Sequence, residues 1–379
     1  MKIGFISAMH YYAWGGSEEL WSQAAVRMAQ AGSDVRVCCG NLLAGHPRMK
    51  PLLDAGIRVR PYSTSPQPFV RRVMRRLTGD RINPGWIQAA GRFMSQGRVN
   101  LVVISQGSTL DGLELALEIR ARKLPYVLVI QQVAEEFWPD DTTAARLRLA
   151  YQGAMRVCCV SQVNLRLLED QIGAELGNGS VVRNPFAVDY EKPLPWPEGG
   201  SAVRFAAVGV LQPVQKAQDL LLRSFANPVW RERNWSLDIF GEGSCRASLE
   251  RLRNRLGLDR VVFRGHLNDI PAIWRSHHLL LHCTRREGLP IALVEAMLSG
   301  RPAVVTDVAG HKELVEDGVE GFVAEAPAIE CVFRAIERAW QARQSWEEMG
   351  LRAHEKVRRL VPRDPVGHFC KFLESVGAS

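Results

Sequence analysis

Short apolar runs alternate along this chain with longer stretches of helical spacing. In the first half the runs cover residues 3–6, 35–38, 101–104, 126–130 and 157–160. They are rich in Val, Ile and Leu, the pattern of strands in a parallel sheet. Helical stretches separate most of them. Residues 18–31 carry Leu20, Ala24, Met28 and Ala31 at helical spacing and are closed by Gly32. Residues 110–122 read in the same way. A second series of runs follows at 205–208, 237–240, 261–263, 279–282, 303–306 and 321–323. Alternation of this kind predicts parallel sheets with helices on both faces.

One segment interrupts the alternation. Pro193-Leu194-Pro195-Trp196-Pro197-Glu198-Gly199-Gly200 resists both helix and strand, and reads as a linker. The expected organisation is therefore an α/β domain over residues 1–190, a linker over 191–202, a second α/β domain over 203–362 and a final segment, 363–379, that is helical from about residue 368. Both domains are expected to be doubly wound and Rossmann-like. The crevice between them, at the C-terminal strand ends, is the expected ligand site.

Composition narrows the classes. The chain has 379 residues and is 46% hydrophobic, ordinary for a globular protein. No apolar stretch approaches the ~18 residues of a membrane span. The apolar start at residues 3–6 reads as a first strand rather than a signal peptide. A cytoplasmic location is expected. The eight cysteines include the adjacent pairs Cys38-Cys39 and Cys158-Cys159, without metal or redox spacing. They read as buried, reduced residues. The net charge of +8 suits an anionic substrate, an anionic membrane or nucleic acid. Arg71, Arg72, Arg75 and Arg76 share one helical face. That face could lie on an anionic bilayer at the inner side of a membrane, or be simply solvated; both readings stand. Nucleic acid is not expected, because no reader motif accompanies the charge.

The chemistry concentrates in residues 287–297, Glu-Gly-Leu-Pro-Ile-Ala-Leu-Val-Glu-Ala-Met, where seven residues separate Glu287 from Glu295. Pro290 suits the first turn of a helix. Glu287 then lies in a strand-to-helix loop and Glu295 well inside the helix. At ~1.5 Å per residue, Pro290 to Glu295 covers about 7.5 Å. That span suits one extended ligand with hydroxyls at both ends. The N–H groups of Gly288 and Leu289, at a positive helix end, suit a phosphate.

This segment resembles the donor-binding signature of retaining, GT-B-fold glycosyltransferases of glycosyltransferase family 4. The resemblance implies that Glu287 reaches the transferred sugar and Glu295 the nucleotide ribose. It implies a nucleotide diphosphate sugar as donor, a saccharide or lipid-linked acceptor, and no metal or other cofactor. It extends to other loops. Gly209 to Leu222 looks like the family's phosphate-facing loop, with Lys216 placed to stabilise a diphosphate leaving group. Gly241 and Gly243, after Phe240, resemble the nucleotide-base loop, and Arg264 ends the next strand in similar context. Gly15 and Gly16 match the family's loop that closes on the donor phosphate; a Ser17 helix cap is expected beside them. Tyr12 and Trp14 offer flat acceptor-side surfaces, and Glu135 and Glu136 follow the fifth run. The segment around His311 is read as a turn packed beneath the site, without a catalytic role.

Three positions depart from the family pattern. Val210 stands where an Arg is usual, Ala217 where a Gly follows the Lys, and Gln131 where many relatives carry His. Either Arg285 or Arg286 supplies the missing charge, or turnover is weak. Two other readings remain at this level: a catalytically weak GT-B scaffold that binds nucleotide or a partner, and a basic protein that binds membrane or nucleic acid peripherally.

Overall fold

The computed structural model describes residues 1–9, 14–63, 85–198 and 202–378. Tyr12, Arg71, Arg72, Arg75 and Arg76 lie outside the described residues. The chain forms two compact units. One is Met1–Pro185 with Asp364–Ser379, and the other is Phe186–Arg363.

The first unit is built on a seven-stranded parallel sheet. Its strands are β1 (Lys2–Ser7), β2 (Asp34–Gly40), β3 (Arg58–Tyr62), β4 (Leu101–Gln106), β5 (Tyr126–Ile130), β6 (Arg156–Cys159) and β7 (Gly179–Val181). The spatial order is β3-β2-β1-β4-β5-β6-β7. Ile3 lies opposite both Val35 and Leu101, so β1 is central. Its interior side chains read Ile3, Phe5 and Ile6, all fully buried. β3 and β7 escape the apolar-run reading. Both are edge strands: β3 carries Arg58 and Arg60, and β7 is three residues long. An edge strand has solvent on one side and tolerates charge.

The helix Gly16–Gln30 starts two residues before the predicted 18 and is capped by extended Gly15, without a side-chain cap. Ser17 is therefore inside the helix, not its cap. The last helix, Pro365–Ala378, begins at its proline. It buries Val366, Phe369 and Leu373 in the same apolar cluster as Leu20, Trp21 and Ala24 of the first helix. An Arg27–Asp364 ion pair lies between the two helices.

The second unit carries β8 (Val203–Val208), β9 (Trp235–Phe240), β10 (Val261–Gly265), β11 (Leu279–His282), β12 (Ala303–Thr306) and β13 (Gly321–Ala324). All pairings are parallel, in the order β10-β9-β8-β11-β12-β13. The order reverses direction between β8 and β11. In a doubly wound sheet the loops leaving two such strands diverge to opposite faces and open a crevice at their C-terminal ends. An aromatic cluster supports the sheet from one face: Phe225 stands 4.4 Å from Trp235 and 4.8 Å from Trp230, ring centre to ring centre.

No helix among the described residues is long and apolar enough to cross a membrane. All eight cysteines are free thiols and six are buried.

Candidate active site

The loops after β8 and β11 meet at the switch point of the second sheet. After β8 the chain makes one helical turn, Pro213–Lys216, then continues into the helix Gln218–Phe225. Ala217 joins them with φ of 50°, the left-handed region. A glycine would adopt that conformation without steric cost. The departure from glycine at this position is thus strained but accommodated, with the methyl group fully buried. The kink aims Lys216 back across the strand ends.

After β11 the loop from Cys283 to Leu289 leads to the helix Ile291–Leu298, with Pro290 as its extended N-cap rather than its first residue. Glu287 lies in this loop. Lys216 Nζ donates to Glu287 Oε1 in a close ion pair. His282 Nε2, the last residue of β11, approaches the same oxygen at 2.9 Å. Glu287 is only 6% exposed. Burial pushes its carboxyl upward, but the Lys216 ammonium and the His282 N–H outweigh that. The carboxyl therefore sits well below the usual carboxylate range.

His311 lies under the pair, in the turn His311–Leu314. Its Nδ1 donates to Thr306 O at 2.8 Å, which leaves the lone pair on Nε2. That nitrogen is buried and has no protein partner. Burial pulls the ring down to about 3, so it is neutral. Burial also lowers His282, against the pull of Glu287. The two rings meet edge to face at 5.4 Å. The sequence marks His311 only as part of a turn beneath the site and does not single out His282. A His closing a Leu-Leu-Leu run reads as a core residue, and only the fold brings it to Glu287.

The ligating atoms of His282, Glu287 and His311 all lie within 4.8 Å of one another. Two imidazoles and a carboxylate are a donor set that a divalent cation can use. Lys216 already neutralises the same carboxylate oxygen, and a second cation there would have to displace it.

The other sequence-predicted residues fall as follows. The N–H groups of Gly288 and Leu289 donate to no acceptor among the described residues and remain available to an anion. Gly288 O accepts from Gly310 N at 3.1 Å, which ties this loop to the turn above His311. Glu295 is buried on its helix, and its Oε1 accepts the Ala187 N–H at 3.0 Å. Gly209, Gly241 and Gly243 do the work of loop packing. A Cβ on Gly241 would lie 2.0 Å from Gly209 O, and one on Gly243 2.6 Å from Leu211 O. The two loops therefore touch backbone to backbone. Arg264 is exposed and holds Asp238 at 3.0 Å.

Arg285, expected as a replacement cation, is engaged elsewhere. Its two terminal nitrogens grip Asp219 at 2.7 and 2.9 Å, and one also donates to Pro213 O at 2.6 Å. It is a strut that fixes the Lys216 turn to the Glu287 loop. Val210 brings no charge to this loop.

The first unit holds the remaining residues. Trp14 is half-buried, stacked on His46 at 5.2 Å, and donates from Nε1 to Glu19 Oε1 at 2.8 Å. Gly15 is half-buried and Gly16 exposed. Glu135 and Glu136 are exposed in a short 3-10 turn after β5. Gln131 is locked to Asn184 through paired amides, at 2.7 and 3.3 Å.

Comparison with known proteins finds the family similarity in the second unit. Residues 202–342 match the family model of glycosyl transferases group 1. The match covers the strand ends that carry Lys216, Glu287 and Glu295. Curated relatives match over similar lengths. An exopolysaccharide phosphotransferase of Streptomyces coelicolor is 31% identical over 149 residues, 38% of this chain and 16% of that protein. A lipopolysaccharide core biosynthesis mannosyltransferase of Rhizobium leguminosarum is 30% identical over 128 residues, 32% of this chain and 36% of that protein. A UDP-Gal:α-D-GlcNAc-diphosphoundecaprenol α-1,3-galactosyltransferase of Escherichia coli is 32% identical over 79 residues, 21% of this chain and 20% of that protein. The matched stretches thus span about a sixth to a third of these relatives. Solved structures match over the whole fold. Anabaena HepE in complex with UDP has a TM-score of 0.75 at 19% identity, covering 99% of this chain and 100% of that one. Sucrose-phosphate synthase of Thermosynechococcus elongatus has a TM-score of 0.77 at 16% identity, covering 100% and 99%. These neighbours are GT-B glycosyltransferases, and the likeness shows the fold.

Proposed function

We propose that this chain is a retaining glycosyltransferase that moves a sugar from a nucleotide diphosphate sugar to a saccharide or lipid-linked acceptor. The observation that carries the reading is the meeting of Lys216 and Glu287 at the β8–β11 switch point, inside the segment that matches the family. Relatives named for exopolysaccharide and lipopolysaccharide synthesis support a polysaccharide or glycoconjugate product. UDP, bound in the HepE structure, is the first nucleotide to test. The expected location is the cytoplasm.

In this reading Lys216 and the N–H groups of Gly288 and Leu289 hold the diphosphate. Charge grows there as the bond to the sugar breaks, and preorganised donors stabilise it. The Glu287 carboxylate, kept ionised, accepts from sugar hydroxyls, and Glu295 from ribose hydroxyls. The acceptor oxygen attacks the anomeric carbon on the side that the diphosphate leaves, and its proton passes to the departing phosphate oxygen. Retention follows. No step requires a metal.

A panel of nucleotide sugars in a thermal-shift assay identifies the donor. Magnetic resonance of the product's anomeric centre then tests the stereochemistry: an α-linked donor is expected to give an α-linked product, and a β-linked product overturns the mechanism. The departures support a second reading, a GT-B scaffold without turnover. Val210 leaves the diphosphate one cation short, and Gln131 is tied to Asn184. Donor hydrolysis or transfer by the purified protein removes that reading.

A further inference from the structure

We propose that His282 is the positioning residue for Glu287, holding the carboxylate through its Nε2–H so that Oε2 is the oxygen presented to the donor sugar. The inference rests on the glycosyltransferase reading for its consequence, but its geometry stands by itself.

Glu287 Oε1 receives both Lys216 Nζ and His282 Nε2. Oε2 has no partner among the described residues, and it is not among the fully buried atoms that lack one. The carboxylate is therefore saturated on one oxygen and open on the other. An ionised carboxylate only accepts hydrogen bonds, so the His282 nitrogen facing it must carry the proton. Lys216 alone would not fix this orientation. An ammonium on a flexible stem is a point charge that follows either oxygen. The imidazole is rigid and grows from the end of β11, whose register against β12 sets His282 opposite Val305. His311 walls the other side of the ring, and its own orientation is set by Thr306 O. The sequence of supports runs from β12 to His311, to His282, to Glu287. A carboxylate held in one rotamer can read hydroxyl geometry. One that swings cannot.

The role differs from simple packing in what it predicts. Partners that orient a reacting or ligating group change activity by roughly 10–100-fold when removed. Here the loss should fall on turnover. His282→Met, which keeps volume and removes the N–H, is expected to lower kcat with UDP-glucose, or with the donor that the thermal-shift panel selects, by roughly 10–100-fold. UDP affinity by calorimetry should stay within about twofold of the parent, since it depends on Glu295 and the phosphate loop. His282→Gln, which restores an N–H donor, should recover much of the lost rate. Equal rates for parent and His282→Met, or no recovery in His282→Gln with both variants folded, would overturn the inference.

A second measurement needs no donor. In a nitrogen–proton correlation spectrum of protein labelled in its histidine rings, the signal lost in His282→Gln is expected to show the proton on Nε2, and to shift in Glu287→Gln. A proton on Nδ1 alone would sink the inference, whatever the protein's activity. A parent that turns over no nucleotide sugar, yet gives the Nε2–H signal, would instead remove the glycosyltransferase reading and leave the hydrogen bond standing.

Discussion

Lys216→Met should destabilise the second unit by at least about 3 kcal/mol at pH 7, and by up to about 2.7 kcal/mol less at pH 5. The substitution removes the ammonium from a carboxylate that is 7% exposed at its side chain, while Lys216 itself is 16% exposed. Breaking a buried pair from one side typically costs about 3–5 kcal/mol, because the remaining charge is left uncompensated. His282 still donates one hydrogen bond, which lowers the expected loss toward the bottom of that range. Proton uptake sets a ceiling. A carboxyl of ordinary pKa 4.5 can be protonated at pH 7 for roughly 3.4 kcal/mol, at ~1.4 kcal/mol per pH unit. That bounds the penalty in the variant, and the stabilisation that the parent draws from its depressed Glu287 pKa is lost in addition.

The sign follows from linkage. In the parent the Glu287 pKa is depressed, so its stabilisation is present above about 4.5 and lost only as the pH falls through the folded value. In the variant burial dominates and the folded pKa rises. The variant therefore gains stability relative to the parent as pH falls. At pH 5 the protonation cost in the variant falls to about 0.7 kcal/mol, while the parent's stabilisation from the depressed pKa, still present there, is lost as it is at pH 7. Urea unfolding followed by tryptophan fluorescence at several pH values measures this. Trp230, Trp235, Trp274 and Trp346 are all buried in the second unit and report on it. The double variant Lys216→Met with Glu287→Gln, which removes both charges, should recover most of the loss at pH 7. A difference that does not change with pH, or a loss below about 0.5 kcal/mol at pH 7, would mean that the pair is solvated and not coupled as described.

Three further outcomes are expected. Glu295→Gln keeps an acceptor for the Ala187 N–H but removes the charge; UDP binding should weaken by about 1.5–3 kcal/mol in calorimetry, and unchanged affinity would take Glu295 out of the ribose site. Glu18 is buried, and burial raises its carboxyl from 4.5 to about 7 despite the Trp21 N–H at 2.6 Å. The fold therefore prefers it protonated, and its stabilisation should be full below about 4.5 and fall by roughly 3 kcal/mol as pH rises to 7. Glu18→Gln should flatten that slope in chemical denaturation, and an unchanged slope would remove the assignment. Ala217→Gly releases about 1–2 kcal/mol of left-handed strain and gives up about 0.8 kcal/mol of buried methyl, so a net gain of up to about 1 kcal/mol is expected at the unfolding midpoint. A loss would show that the methyl contact outweighs the strain.

Which features the sequence revealed, and which it hid, follows from distance along the chain. Strands that are buried on both faces are apolar runs, and every such run in the second series became a strand, β8 to β13. The edge strands β3 and β7 carry no such signal, because only one side must be apolar or because three residues are too few. The Glu287–Glu295 spacing and the Lys216 loop were legible because each motif is local. The contact between them was not. It depends on the pairing of β8 with β11, Phe205 opposite Leu279, and on the left-handed Ala217 that turns Lys216 inward. The same limit explains Gln131, whose partner Asn184 lies 53 residues away, and Arg285, whose grip on Asp219 spans 66 residues. Arg285 shows the cost of arguing from charge alone: a cation near a phosphate loop counts toward a ligand only if no protein carboxylate has claimed it. His282 is the converse case. A histidine in an apolar strand end looks inert, yet a neutral imidazole can offer a carboxylate a rigid donor without adding a charge. At a switch point, where two strand ends diverge, such a residue controls the geometry of the loop beside it, and the residues that act there need not be the only ones that decide how well they act.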